Sequence, residues 1–125
     1  MSIRAVKYVG PLVAYATYIL VAGSVRDGGP PSGMTDKAAH CIAFGLMVPL
    51  ALWAVRYLSP RRAFSTQVAA AVAVASGLGA LLEVWQLLLP WRSAELLDWV
   101  ADTVGALGAG ALHLAFRAAV GGRQG

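Results

Sequence analysis

The chain has 125 residues, enough for one domain. It is 58% hydrophobic and only 13% charged, which excludes an ordinary water-soluble surface, where about a quarter of residues carry charge. The net charge of +4 comes from Lys and Arg in small groups between apolar runs, which argues against nucleic acid as a partner. The expected class is all-α: an integral membrane bundle of four transmembrane helices, a single domain over residues 1–125.

Between Lys7 and Arg26 lie eighteen residues without a charge, enough for a helix to cross a hydrocarbon core about 30 Å thick. The first span is expected at residues 8–25. With Arg4 and Lys7 ahead of it this run resembles a signal peptide, but three more apolar runs follow and it is expected to stay as an anchor. Arg26 and Asp27 read as a solvated loop pair. The stretch RDGGPPSGMTDK breaks the helix, and Thr35 is expected to cap a second span at residues 36–55, kinked by Pro49. Cys41, the single cysteine, reads as a packing residue. Residues 63–82 carry no charge, and the helix can continue through Glu83 and Gln86 until Pro90, giving a third span at 63–89. Ser93 is the expected N-cap of the fourth span, 94–120, with Glu95 compensating the dipole in its first turn.

Four spans put Arg4, Lys7, Arg56, Arg61, Arg62, Arg117 and Arg123 on one side and Arg26, Lys37 and Arg92 on the other. Seven cations against three predicts that both termini are cytoplasmic. All six acidic residues then fall in the outer half. Trp85, Trp91 and Trp99 flank the third loop as an interfacial belt would.

Spans three and four form a hairpin about the turn PWRS, which sets Glu83 level with position 100, between Asp98 and Asp102, and Gln86 opposite Leu97. Asp98 and Asp102 share a helix face, as do Asp36 and His40, with Lys37 adjacent. Small residues recur every four positions, at Ala69, Ala73 and Gly77 and at Ala101, Gly105 and Ala109, so Gly77, Gly105 and Ala109 are expected at a close helix–helix approach. His113, four residues before Arg117, reads as a helix-end residue. Ionisable groups inside a bilayer normally face a partner or a wet cavity. The candidate polar cluster is therefore Asp36, Lys37, His40, Glu83, Gln86, Arg92, Asp98 and Asp102.

TDKAAHCIAF, and Glu83, Gln86, Pro90 and Arg92 followed by Asp98, Asp102 and Gly105, resemble the two signatures of the VanZ-like family of small polytopic membrane proteins. The resemblance covers residues 36 to about 110. The family often has Asn where this chain has Asp102. The resemblance implies a helical protein of the cell envelope, in the bacterial cytoplasmic (inner) membrane.

Three readings of the cluster follow. In the first, an outward-facing pocket binds a lipid headgroup or lipid-linked envelope ligand, with Arg92 and Lys37 holding phosphate or carboxylate. In the second, the chain is a structural or interaction subunit of a homo-oligomer or larger membrane complex. The polar groups are then interhelical glue, with Glu83 bonded to Asp102 and Arg92 capping Asp98. A headgroup-modifying enzyme ranks below both, since there is no HExxH, Ser-His-Asp signature or Gly-rich phosphate loop. A divalent metal on His40, Glu83, Asp98 and Asp102 is chemically reasonable. No metal motif is present, so no metal or cofactor is expected and no catalytic residue is assigned. Membrane lipids are the expected surroundings.

Overall fold

The computed structural model describes residues 1–26, 29–30 and 33–123. Asp27, expected to pair with Arg26, lies outside them. The described residues form four helices and no strand: α1 (Ile3–Ser24), α2 (Asp36–Leu58), α3 (Phe64–Leu87) and α4 (Leu96–Gly121). Each is long and apolar enough to cross a membrane.

The helix starts follow from local chemistry. Ser2 Oγ accepts from the Ala5 N–H at 3.2 Å, so α1 begins five residues before the expected position. Arg4 and Lys7 limit the apolar stretch without limiting the helix. Thr35 Oγ1 accepts from the Ala38 N–H at 3.2 Å and starts α2 where the sequence predicts. α2 then runs unbroken through Pro49 to Leu58. α3 ends at Leu87 rather than 89, because Leu88 and Leu89 already turn back onto the Trp85 and Gln86 carbonyls ahead of Pro90.

The start of α4 corrects the expectation at Ser93. The N-cap is Glu95, whose side chain makes no capping bond. Its backbone N–H is instead satisfied from α3, by Glu83. A carboxylate reaching across from the neighbouring helix replaces the local cap.

α2 packs against all three other helices, and α4 against α2 and α3. α1 lies outside this trio, has no buried residue and, among the described helices, packs only against α2 and α3. The core consists of Phe44, Met47, Val48, Ala51 and Leu52 of α2, Val68, Ala71, Ala75 and Leu82 of α3, and Ala106 of α4. The exterior is strongly apolar, with Leu112 and Phe116 each 72% exposed, while Asp102 is fully buried. Soluble proteins distribute these residue types the other way round.

The two ends of the bundle differ chemically. At one, Tyr8 stacks on Tyr57 with centroids 4.8 Å apart, and the Arg117 guanidinium lies 4.7 Å from the Phe64 ring centre. His113 sits at this end, its Nδ1 donating back to the Ala109 carbonyl at 2.8 Å. Gln67 Nε2 donates to the Ser59 carbonyl at 2.8 Å, fastening the α2–α3 turn. At the other end, Trp85 Nε1 donates to Ser24 Oγ at 2.8 Å and Trp91 Nε1 to the Ser24 carbonyl at 2.9 Å. These two indoles, expected only as an interfacial belt, anchor the end of α1.

The close approaches of the small residues correct the helix pairing. A Cβ on Gly105 would overlap the backbone of Cys41, so Gly105 is the crossing point of α4 with α2 rather than with α3. Ala109 is half-buried against the core. Gly77 is exposed and has nothing within 4 Å of an added Cβ. The buried stripe of α3 is instead Gln67, Ala71, Ala75, Gly79 and Glu83. Ala69, Ala73 and Gly77 repeat with the same four-residue period on the opposite, exposed side.

Candidate functional site

Three helices bring the polar residues to the end of the bundle that carries the Trp85 and Trp91 anchors. α2 supplies Asp36, Lys37 and His40 from its first two turns. α4 supplies Asp98 and Asp102, one turn apart, and α3 supplies Glu83 and Gln86 from its last two turns. Gly105 lets the α2 and α4 backbones meet just beyond this level, so His40 and Asp102 lie on facing surfaces.

His40 Nδ1 and Asp102 Oδ1 are 2.7 Å apart. The other ring nitrogen, Nε2, faces Asp98 Oδ2 at 3.8 Å, and the imidazole lies nearly parallel to the Phe44 ring, 9° between planes. Lys37 Nζ donates to Asp98 Oδ1 at 2.5 Å and to Glu95 Oε2 at 2.8 Å. Of these two acids Asp98 is buried and Glu95 is half-exposed. Lys37 therefore compensates a buried charge with one hand and a solvated one with the other.

Glu83 Oε2 accepts from the Glu95 N–H at 2.9 Å. The bond expected from Glu83 to Asp102 is absent among the described residues, because Asp102 turns to His40 instead. Gln86 turns away from α4: its Nε2 donates to the Gly23 carbonyl of α1 at 3.0 Å rather than facing Leu97. Asp98 is held by Lys37, a residue the sequence placed near the cluster without a partner. Glu95 serves as a ligand of Lys37 and as a backbone donor to Glu83, a larger part than dipole compensation.

Among the described residues, three oxygens in this region are buried with no hydrogen-bond partner: Glu83 Oε1, Gln86 Oε1 and Asp102 Oδ2. Such groups are costly where water is excluded. A Cβ on Gly79 would sit 2.6 Å from Asp102 Oδ2, so the missing side chain at 79 makes room for that carboxylate. Two sets of side chains place candidate ligand atoms within 4.8 Å of one another: Asp36, His40 and Asp98, and His40, Glu83 and Asp102.

A groove of about 600 Å³ opens beside the cluster between α1 and α2. Asp36, His40, Gln86 and Arg92 contribute to its polar end. Along its flank run Tyr15, Ile19, Ile42, Phe44 and Leu46. Tyr15, whose hydroxyl donates to the Ala43 carbonyl at 2.9 Å, ties α1 to α2 at the groove's apolar part. Sequence reasoning missed Tyr15 and Gly79. Neither carries a signal at this level, since an aromatic in an apolar run and a glycine among many small residues are unremarkable by type.

No protein-family model matches the chain, and no curated protein or solved structure matches it.

Proposed function

We propose that the chain is an integral membrane protein that binds an amphiphile in the α1–α2 groove, its polar head at His40, Gln86 and Arg92 and its apolar part along Ile19, Ile42 and Leu46. The observation that carries this reading is the groove itself, polar at the end of the bundle and apolar along the helices. Binding sites for small molecules commonly combine a large apolar wall with a few convergent polar groups. The apolar exterior around a fully buried Asp102 supports a lipid-solvated chain. Arg92 suits an anionic head such as phosphate, through its planar fork.

The ligand class is a lipid headgroup or a lipid-linked envelope intermediate. The VanZ-like resemblance of the residues around Asp36–His40 and Glu83–Gly105 favours the bacterial inner membrane. The cationic ends of the helices favour cytoplasmic termini and an outward-facing groove.

Native mass spectrometry of the full chain extracted from vesicles of phosphatidylethanolamine, phosphatidylglycerol and a polyprenyl phosphate tests the reading. Wild type retains one anionic lipid, and Arg92→Gln and Gln86→Leu lower its occupancy at least about tenfold while Leu112→Ala, on the exposed exterior, leaves it unchanged. Equal retention by wild type and Arg92→Gln would overturn the proposal.

A second reading is favoured by the bonds joining α2, α3 and α4 through His40, Lys37, Glu83 and Asp102. There the cluster is architectural glue, within this chain or in a larger complex. It is distinguished by loss of folding in every cluster variant together with no retained lipid. A headgroup-modifying enzyme would instead yield a new lipid product.

A further inference from the structure

We infer that His40, Glu83 and Asp102 form a buried site for one divalent transition-metal ion. The site does not depend on amphiphile binding in the neighbouring groove.

Two carboxylates and an imidazole from three different helices converge here, with ligand atoms mutually within 4.8 Å. In a tetrahedral zinc site, metal–ligand bonds of about 2.0–2.2 Å put ligand atoms roughly 3.3 Å apart. His40 Nδ1 and Asp102 Oδ1 already lie closer than that, at 2.7 Å. Uptake of an ion therefore requires this pair to part by about 0.6 Å and the third ligand atom to close in from within 4.8 Å.

The unsatisfied atoms point to the same place independently. At 2.7 Å the Nδ1 and the carboxylate oxygen are bridged by a proton, which a cation could replace only once the two atoms move apart to about 3.3 Å. A proton satisfies only that pair and leaves Glu83 Oε1 and Asp102 Oδ2 buried without partners. Glu83 is 92% buried and Asp102 completely so, and a cation among them meets what a single proton cannot. The absent side chain at Gly79 lets the Asp102 carboxylate itself sit against α3.

The charge count agrees. Lys37 is shared between Asp98 at 2.5 Å and Glu95 at 2.8 Å, and Glu83 and Asp102, when ionised, bring two negative charges to the site. His40 Nδ1, 2.7 Å from Asp102 Oδ1, pairs with it as a cation only when the imidazole is protonated. A divalent ion offsets those two charges, as holding several ionised carboxylates away from water requires. The alternative set of Asp36, His40 and Asp98 is weaker, because Asp36 is exposed and Asp98 is already held by an ammonium group. In the preferred set Asp98 takes an outer role. With the ion on Nδ1, the imidazole hydrogen sits on Nε2, facing Asp98 Oδ2 at 3.8 Å, so a closer approach of Asp98 would complete the carboxylate–histidine–metal arrangement that fixes a ligand's orientation. One nitrogen and carboxylate oxygens suit Zn²⁺, Mn²⁺ or Fe²⁺ rather than a thiophilic ion.

The test uses the full chain in detergent, stripped with a chelator and titrated with Co²⁺ alone, then with Zn²⁺ as competitor. Wild type binds one equivalent of Co²⁺ with visible d–d absorption, and Zn²⁺ displaces it. His40→Ala and Glu83→Gln weaken binding by more than about 100-fold, Asp98→Asn by roughly 10–100-fold as an outer partner does, and Asp36→Asn has no effect. X-ray absorption of Zn²⁺-loaded wild type shows one imidazole and otherwise oxygen, a readout that needs no variant to fold. No uptake by wild type, sulfur or a second imidazole in the shell, or binding insensitive to Glu83→Gln would each overturn the site. Lipid occupancy measured on the same stripped protein separates this result from the fate of the groove reading.

Discussion

The carbonyl oxygen of Cys41 and the α-carbon of Gly105 pack so closely that no side chain fits at position 105. This contact sets the spacing of α2 and α4, and with it the 2.7 Å approach of His40 to Asp102 one turn nearer the end of the bundle. The position of the polar site thus depends on a backbone contact between two residues that carry no charge.

Gly105→Ala is expected to destabilise the bundle by at least about 2–3 kcal/mol, because the obstruction is backbone rather than a flexible side chain. Gly77→Ala, with nothing within 4 Å, is expected to gain about 0.5–1 kcal/mol from the better helix former. Unfolding of the two variants in the same mixed detergent gives the comparison. Equal effects would mean that α2 and α4 do not cross at Gly105.

Gly79→Ala places a methyl group against the Asp102 side chain, 2.6 Å from Oδ2 and 3.0 Å from Cβ if nothing shifts. The expected loss is about 1–3 kcal/mol, because Asp102 is fully buried and has little room in which to retreat. The same unfolding measurement checks it, and an unchanged midpoint would show that the carboxylate can move aside.

The His40–Asp102 pair has a measurable coupling. A double-mutant cycle with His40→Ala and Asp102→Asn, run in chelator, is expected to give more than about 1.5 kcal/mol, as for a hydrogen bond to a charged group. Interhelical hydrogen bonds in membranes average only ~0.6 kcal/mol. A value at that average would identify an ordinary neutral contact.

Trp85→Phe and Trp91→Phe each delete one hydrogen bond to Ser24. Each is expected to cost about 0.5–1.5 kcal/mol of local stability at the end of α1. Hydrogen–deuterium exchange should quicken over residues 20–24 while α2, α3 and α4 keep their protection. Uniform quickening across all four helices would show instead that α1 is part of the cooperative core.

Number, order and approximate bounds of the helices were legible in the sequence, because three charge-free runs of eighteen or more residues, the helical periodicity after Ser93 and the Gly and Pro breaks report on helix length. So was the crowding of polar groups toward one end, since Glu83, Gln86, Asp98 and Asp102 lie within about two turns of their helix ends and share a depth whatever their partners are. The rotation of each helix about its axis was not. A helix apolar all round has no hydropathic face, and α3 carries two interleaved stripes of small residues with the same period. Gln67 and Glu83, sixteen residues apart and in phase with Ala71, Ala75 and Gly79, mark the inward stripe, a signal present in the sequence but outweighed there by Gly77. Partner choice belonged wholly to tertiary structure: Gln86 to α1, Lys37 to Asp98 and Gly105 to Cys41. Helix periodicity records which residues share a face, and only packing settles which neighbour that face meets.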